Sequence, residues 1–205
     1  MPMVIQVRCG KLQKKNKKGK KMKTENPVLL IELDEEIRNQ QLNEVEKWFE
    51  HVLTAQMAFE VVIQKTIPKI QEPHIKEAIE KIEGATKEHQ KIAKQLFQLI
   101  NRNPDIVMDR ILGTTISKLE EGLLTFQDLM AGAVGSWQGM HQLLLLNQQA
   151  MGAFAVAEQL GLSLGIKEIV KATFKVVHEK TMHQLLIQEY MLEMAPISIL
   201  YKQNV

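Results

Sequence analysis

His89 sits in a run of apolar neighbours, Ile75, Ile79, Ile82, Thr86, His89, Ala93, Leu96 and Ile100, whose steps of three and four describe one face of an α-helix. Glu60 flanks a second such run, Val45, Phe49, Val52, Gln56, Phe59, Ile63, Thr66 and Ile70. An inward carboxylate and an inward imidazole on two helices of one bundle are the beginnings of a carboxylate-bridged di-iron or di-manganese centre. Such a centre takes one Glu from each of two helices and Glu-x-x-His from each of two others, because that spacing aims both ligands inward. Glu60 and His89 are therefore the metal-ligand candidates, with iron or manganese as the cofactor. The rest of the set does not follow. Thr86 stands three residues before His89. Glu179 and His183 lie four apart in the last helix, on a face roughly 160° from its apolar stripe at 100° per residue, which predicts a solvated pair. A lone inward histidine is then expected to be a hydrogen-bonded core residue.

Other chemistries find less support. No Cys/His cluster has zinc spacing, and Ser117, Ser136 and Ser163 lack a nucleophile-elbow context. Met140, Met151, Met182, Met191 and Met194 fall at helical spacing and read as gap-fillers in a core. Trp48 and Trp137 read as packing anchors.

The elements that must position these residues are helices. Residues 28–40 form a lead-in, and Asn43 is placed to cap a helix running to about Ile70. Pro73 opens a second helix, a favoured position for proline, and residues 101–104 end it. A weaker third helix covers about 105–130, and a charge-free segment follows to Gly161. The last helix runs from near Gly165 to about Met194, before Pro196, with the stripe Ile166, Val170, Phe174, Val177, Thr181, Leu185, Gln188 and Leu192. Long helices with short connections predict an all-α, antiparallel four-helix bundle with an extra N-terminal segment. No strand alternation or Gly-rich phosphate loop appears.

Residues 129–157 contain no formally charged side chain. Gln138, His141, Gln142, Asn147, Gln148 and Gln149 interrupt the run, so it reads as a buried helix rather than a membrane span, whose amides would need partners in lipid. Val134, Leu143, Leu144, Leu145, Leu146, Phe154 and Val156 exceed one apolar stripe. A second subunit is expected to cover the surplus, giving a homodimer, unless residues 28–40 cover that face instead.

The net charge of +2 hides an asymmetry. The first 23 residues carry nine Lys and Arg side chains and no acid, which leaves −7 on the remainder. Residues 1–27 are expected to be a disordered basic arm, able to meet nucleic acid only through Lys11 to Lys23. KKGKK before Met22 also back-translates to the purine-rich codons of a bacterial ribosome-binding site, with Met22 as the start. The arm lacks the apolar core of a secretory signal. The single Cys9 fits a reducing cytoplasm.

Three stretches carry a family resemblance: AFEVVIQKTIPKIQE (58–72), PHIKEAIEKIEGATKEHQKIAKQLFQLI (73–100) and AVAEQLGL (155–162). With them the chain resembles the YciE/YciF group of ferritin-like bacterial stress proteins. The resemblance implies a ferritin-like bundle that dimerises, with Glu60 on the family's acidic position in the first helix and His89 where the family has Gln or His. The family's Glu-His-Tyr-Glu segment falls on Gln142, Leu143, Leu144 and Leu145, and the acidic run of its last helix falls near Lys175, Val176, Val177 and His178.

The sequence therefore predicts a ferritin-like bundle over residues 28–195 with a tail at 196–205. The expected role is non-catalytic, stress- or surface-associated and cytoplasmic, through self-association or partner binding, with no cofactor, no membrane and no assigned small-molecule ligand. Two alternatives remain: a di-iron or di-manganese oxidase or peroxidase around Glu60 and His89, and a DNA-binding protein of mini-ferritin type using the lysine arm.

Overall fold

A computed structural model of the chain describes residues 35–105 and 135–204. Those residues form an all-α bundle of four long helices: α1 (Glu35–Thr66), α2 (Pro73–Leu99), α3 (Ser136–Leu164) and α4 (Lys167–Leu200), with a 3-10 turn at Ile67–Lys69. The basic arm (1–27) and nearly all of the expected third helix lie outside the described residues. The packing described here belongs to the unit that begins at Gln41.

Local chemistry sets the helix ends. Glu72 is extended before Pro73, as a residue preceding proline prefers, and α2 starts there. Gly165 closes α3 in the left-handed conformation (φ 70°), with the Ile166 N–H donating to the Gly161 carbonyl, so that α3 and α4 fold back as a hairpin. At the other end, Asn204 Oδ1 accepts from the Ser136 N–H (2.7 Å) and its amide donates to the Lys69 carbonyl (3.0 Å). One side chain near the C-terminus thus caps α3 and ties it to the α1–α2 connection.

Two apolar clusters fill the bundle. The first is built on Phe49, Leu53, Leu96, Phe97, Phe154 and Ile169, and the second on Phe59, Ile63, Ile79, Met140, Leu143 and Ile187. Trp48 donates to the Ala153 carbonyl (3.0 Å) and Trp137 to the Met191 carbonyl (2.9 Å), so both tryptophans pack their rings and satisfy their N–H groups.

Every residue in the stripes predicted for α1 and α2 is buried. The last helix differs. Its inner face carries Ile169, Thr173, Val176, Lys180, Ile187, Met194 and Ser198, whereas Phe174, Leu185 and Leu192 are exposed, a rotation of roughly 120° from the expected stripe. The hairpin partner explains it: the inner face is set by contacts with α3, and the more apolar face is left outside.

Other boundaries also move. α1 begins at Glu35, so residues 35–40 continue the helix rather than precede it, and Asn43 lies inside α1, accepting from Arg102 Nη2 (2.9 Å). α4 continues through Pro196 to Leu200, because Met194 and Ser198 are buried on its inner side while Pro196 faces outward. The tail reading for 196–200 is therefore replaced by helix. Nor is α3 enclosed on most sides: Leu145, Val156 and Leu162 are exposed.

Gly161 separates packing from propensity. A Cβ there would lie 2.7 Å from Ile169 Cγ2, while one at Gly84 on α2 would meet nothing within 4 Å. Gly161→Ala is expected to destabilise by about 1–3 kcal/mol, and Gly84→Ala to stabilise by roughly 0.5–1 kcal/mol, both read from denaturant unfolding. Equal effects at the two sites would show that the α3–α4 contact is looser than described.

Candidate functional site

Between the two apolar clusters lies a layer of buried polar side chains, one or more from each described helix: Gln56 on α1, Thr86 and His89 on α2, Asn147 on α3, and Lys180 on α4. Glu179 and His183, half-buried on α4, complete it. The layer exists because all four inner faces switch from apolar to polar at one level.

Gln56 donates to the Thr86 carbonyl (3.1 Å), joining α1 to α2. Asn147 donates to the Lys180 carbonyl (2.9 Å) and to Gln184 Oε1 (2.8 Å), setting the register of α3 against α4. His89 Nε2 donates to Glu179 Oε2 (2.8 Å), joining α2 to α4. The His183 ring lies 5.8 Å from that of His89, and Lys180 Nζ sits 4.5 Å above the centroid of the Phe59 ring. That cation–π contact is what receives the amine, since Lys180 is 0% exposed and Nζ meets no hydrogen-bond acceptor among the described residues.

Burial governs the protonation of the layer. It pushes the Lys180 amine down to about 7 and His183 down to about 4, the latter helped by the neighbouring His89 and Lys180. His89 is also lowered, by burial and by Lys180, against the opposing pull of Glu179. It is a neutral imidazole donating to a carboxylate. Burial pushes Glu179 up, but the hydrogen bond from His89 and the charge of Lys175 (3.6 Å away) prevail, and its carboxyl stays below the ordinary value.

The two metal-ligand candidates have different neighbours. His89 is buried as expected. Glu60 is half-buried on α1 and interacts with Lys87, Glu83 and Lys94 of α2, its carboxyl raised chiefly by burial, whereas His89 interacts with Glu179, Lys180 and Lys175. Glu179 and His183, read as a solvated pair, instead turn toward α2 and the layer. Sequence reasoning missed Lys180 because lysine at helical spacing reads as the wet face. Asn147, in phase with Leu143, Ala150, Phe154 and Ala157, was the available signal for a polar layer.

The donor set does not fit a dinuclear metal. No group of three or more His, Cys, Asp or Glu side chains able to hold a metal ion occurs among the described residues. The layer offers one carboxylate, Glu179, beside an amine that would repel a cation, while such metals require several oxygen ligands. No helix among the described residues is long and apolar enough to cross a membrane.

Lys180 makes stability pH-dependent. Its lowered value means that between about 7 and the ordinary 10.5 the unfolded chain holds a proton that the folded chain does not, so stability rises with pH across that window. Lys180→Met is expected to flatten this rise and to add about 1–4 kcal/mol at neutral pH, since an apolar isostere removes the desolvation cost. Urea unfolding near pH 7 and near pH 10 reads both effects. A variant less stable at neutral pH would mean that the Phe59 contact outweighs burial.

No family model matches the chain, and no curated protein or solved structure matches it.

Proposed function

We propose that this chain is a non-catalytic, ferritin-like helical bundle that acts through self-association, in the stress- or surface-associated role that the YciE/YciF resemblance suggests. The observation that carries this reading is Lys180. The centre of a four-helix bundle is where facing helices build metal and cofactor sites. Here that level is filled by an amine on an aromatic ring and by amides and one neutral imidazole, His89, bonded across the helices. These groups tie helices together. They do not assemble the paired carboxylates that oxidase chemistry needs, and Glu60, the other candidate, is engaged with charges of α2.

A bundle without a reactive centre acts through its surface. The described helices leave large apolar side chains exposed, chiefly on α3 and α4, and such exposure marks interaction surfaces.

Elemental analysis of protein purified without chelators is expected to find far less than one iron or manganese per chain, and iron(II) with oxygen is expected to show no turnover above buffer. Analytical ultracentrifugation is expected to give a species larger than the 23.4 kDa chain. Two equivalents of metal per chain, or a monomer throughout, would overturn the reading.

A further inference from the structure

The α3–α4 hairpin presents an outer face of unusual chemistry. Every exposed residue of α3 is uncharged. On α4, Phe174, His178, Thr181, Leu185, Gln188 and Leu192 are exposed at steps of four and three, again without a formal charge. By contrast, the exposed face of α2 carries Glu77, Glu80, Lys81, Lys87, Glu88 and Lys91. The two uncharged runs lie side by side. Thr181 Oγ1 contacts Met151 Sδ at 3.4 Å, and Asn147 reaches Lys180 and Gln184. In this antiparallel register Val156 lies level with Phe174, and Leu145 with Leu185.

The geometry points to this face as the surface on which a second copy of the chain docks, across a two-fold axis passing near Gly152. Resting on the self-association proposed above, this names the surface and the symmetry. Three observations single out a second copy. Val156 (41% exposed) with Phe174 (63%) forms one apolar pair, and Leu145 (47%) with Leu185 (57%) forms another, about 16 Å along the helices. A two-fold axis between them sets each pair of one protomer against the other pair of its partner, the self-complementarity an isologous interface requires. The polar groups between them are uncharged and include the amides of Gln148 and Gln149, which both donate and accept and so pair with their own copies; exposed charges of α4 such as Lys171, Lys175 and Glu189 border this run rather than interrupt it.

Gly152 supplies the third observation. It is exposed in mid-helix, where glycine weakens a helix, yet a Cβ would meet nothing of its own chain within 4 Å. A closely approaching helix gives its small size a use. Gly84 is equally open, but it lies among the charges of α2. The size is also sufficient: two adjacent helices about 10 Å wide, over a seam of roughly 38 Å centred on the axis and running from the start of α4 at Lys167 to Leu192, present on the order of 750 Å² per protomer, close to the roughly 800 Å² of a standard interface.

The test uses the full chain. Sedimentation is expected to give twice the 23.4 kDa chain mass at micromolar concentration. Leu185→Glu and Gly152→Leu are each expected to weaken the dimer about 30-fold or more with unchanged helicity, while Lys91→Glu on α2 leaves it intact. In a Cys9→Ser background, Gly152→Cys is expected to give a covalent dimer on mild oxidation and Gly84→Cys is not, which places the axis even if a bulky variant fails to fold. A dimer that survives Leu185→Glu and Gly152→Leu, or that cross-links through position 84 as readily as through 152, sinks this assignment and leaves self-association standing. A monomeric wild-type chain sinks both.

Discussion

Lys180 is held inside the bundle by the face of Phe59, and that contact governs the layer around it. An amine taken out of water is costly unless its charge is met or given up. Here both occur in part: the aromatic face receives it, and burial draws its proton affinity down to about 7. The neighbours must then be neutral or anionic. His89 and His183 are held neutral, Glu179 is held ionised, and Gln56 and Asn147 donate their amide N–H groups to helix carbonyls. Each bond crosses from one helix to another, so the layer also sets the register of the four helices.

That arrangement divides the core. An apolar cluster lies on either side of the polar level, one around Phe49, Phe97 and Phe154 and one around Phe59, Ile79 and Met140. Sliding α4 by one turn would take Lys180 off the Phe59 ring and break the hydrogen bonds that Asn147 donates to the Lys180 carbonyl and to Gln184. The apolar clusters stabilise the bundle in many registers, and the polar level selects one. The same choice shapes the outside. With Thr173, Val176, Lys180 and Ile187 turned inward, α4 directs Phe174, Leu185 and Leu192 to the surface. The polar core level and the apolar outer face are thus two consequences of one helix rotation.

The sequence by itself determined that the described residues are helical, where α2 begins, and which faces of α1 and α2 are buried. Each of those two helices has one apolar stripe with charge opposite it, so hydrophobic periodicity has a single solution. His89 followed from the same stripe. Only the tertiary structure decided α3 and α4, whose apolar residues cover several faces. There the buried face depends on what the neighbouring helix offers: Asn147 for the Lys180 carbonyl, Gly161 for Ile169, and Phe59 for the Lys180 amine. A lysine in isolation reads as a solvated residue. Its burial becomes acceptable only when an aromatic face and a dry, neutral surround come together from separate segments, a condition set by long-range packing rather than by local pattern.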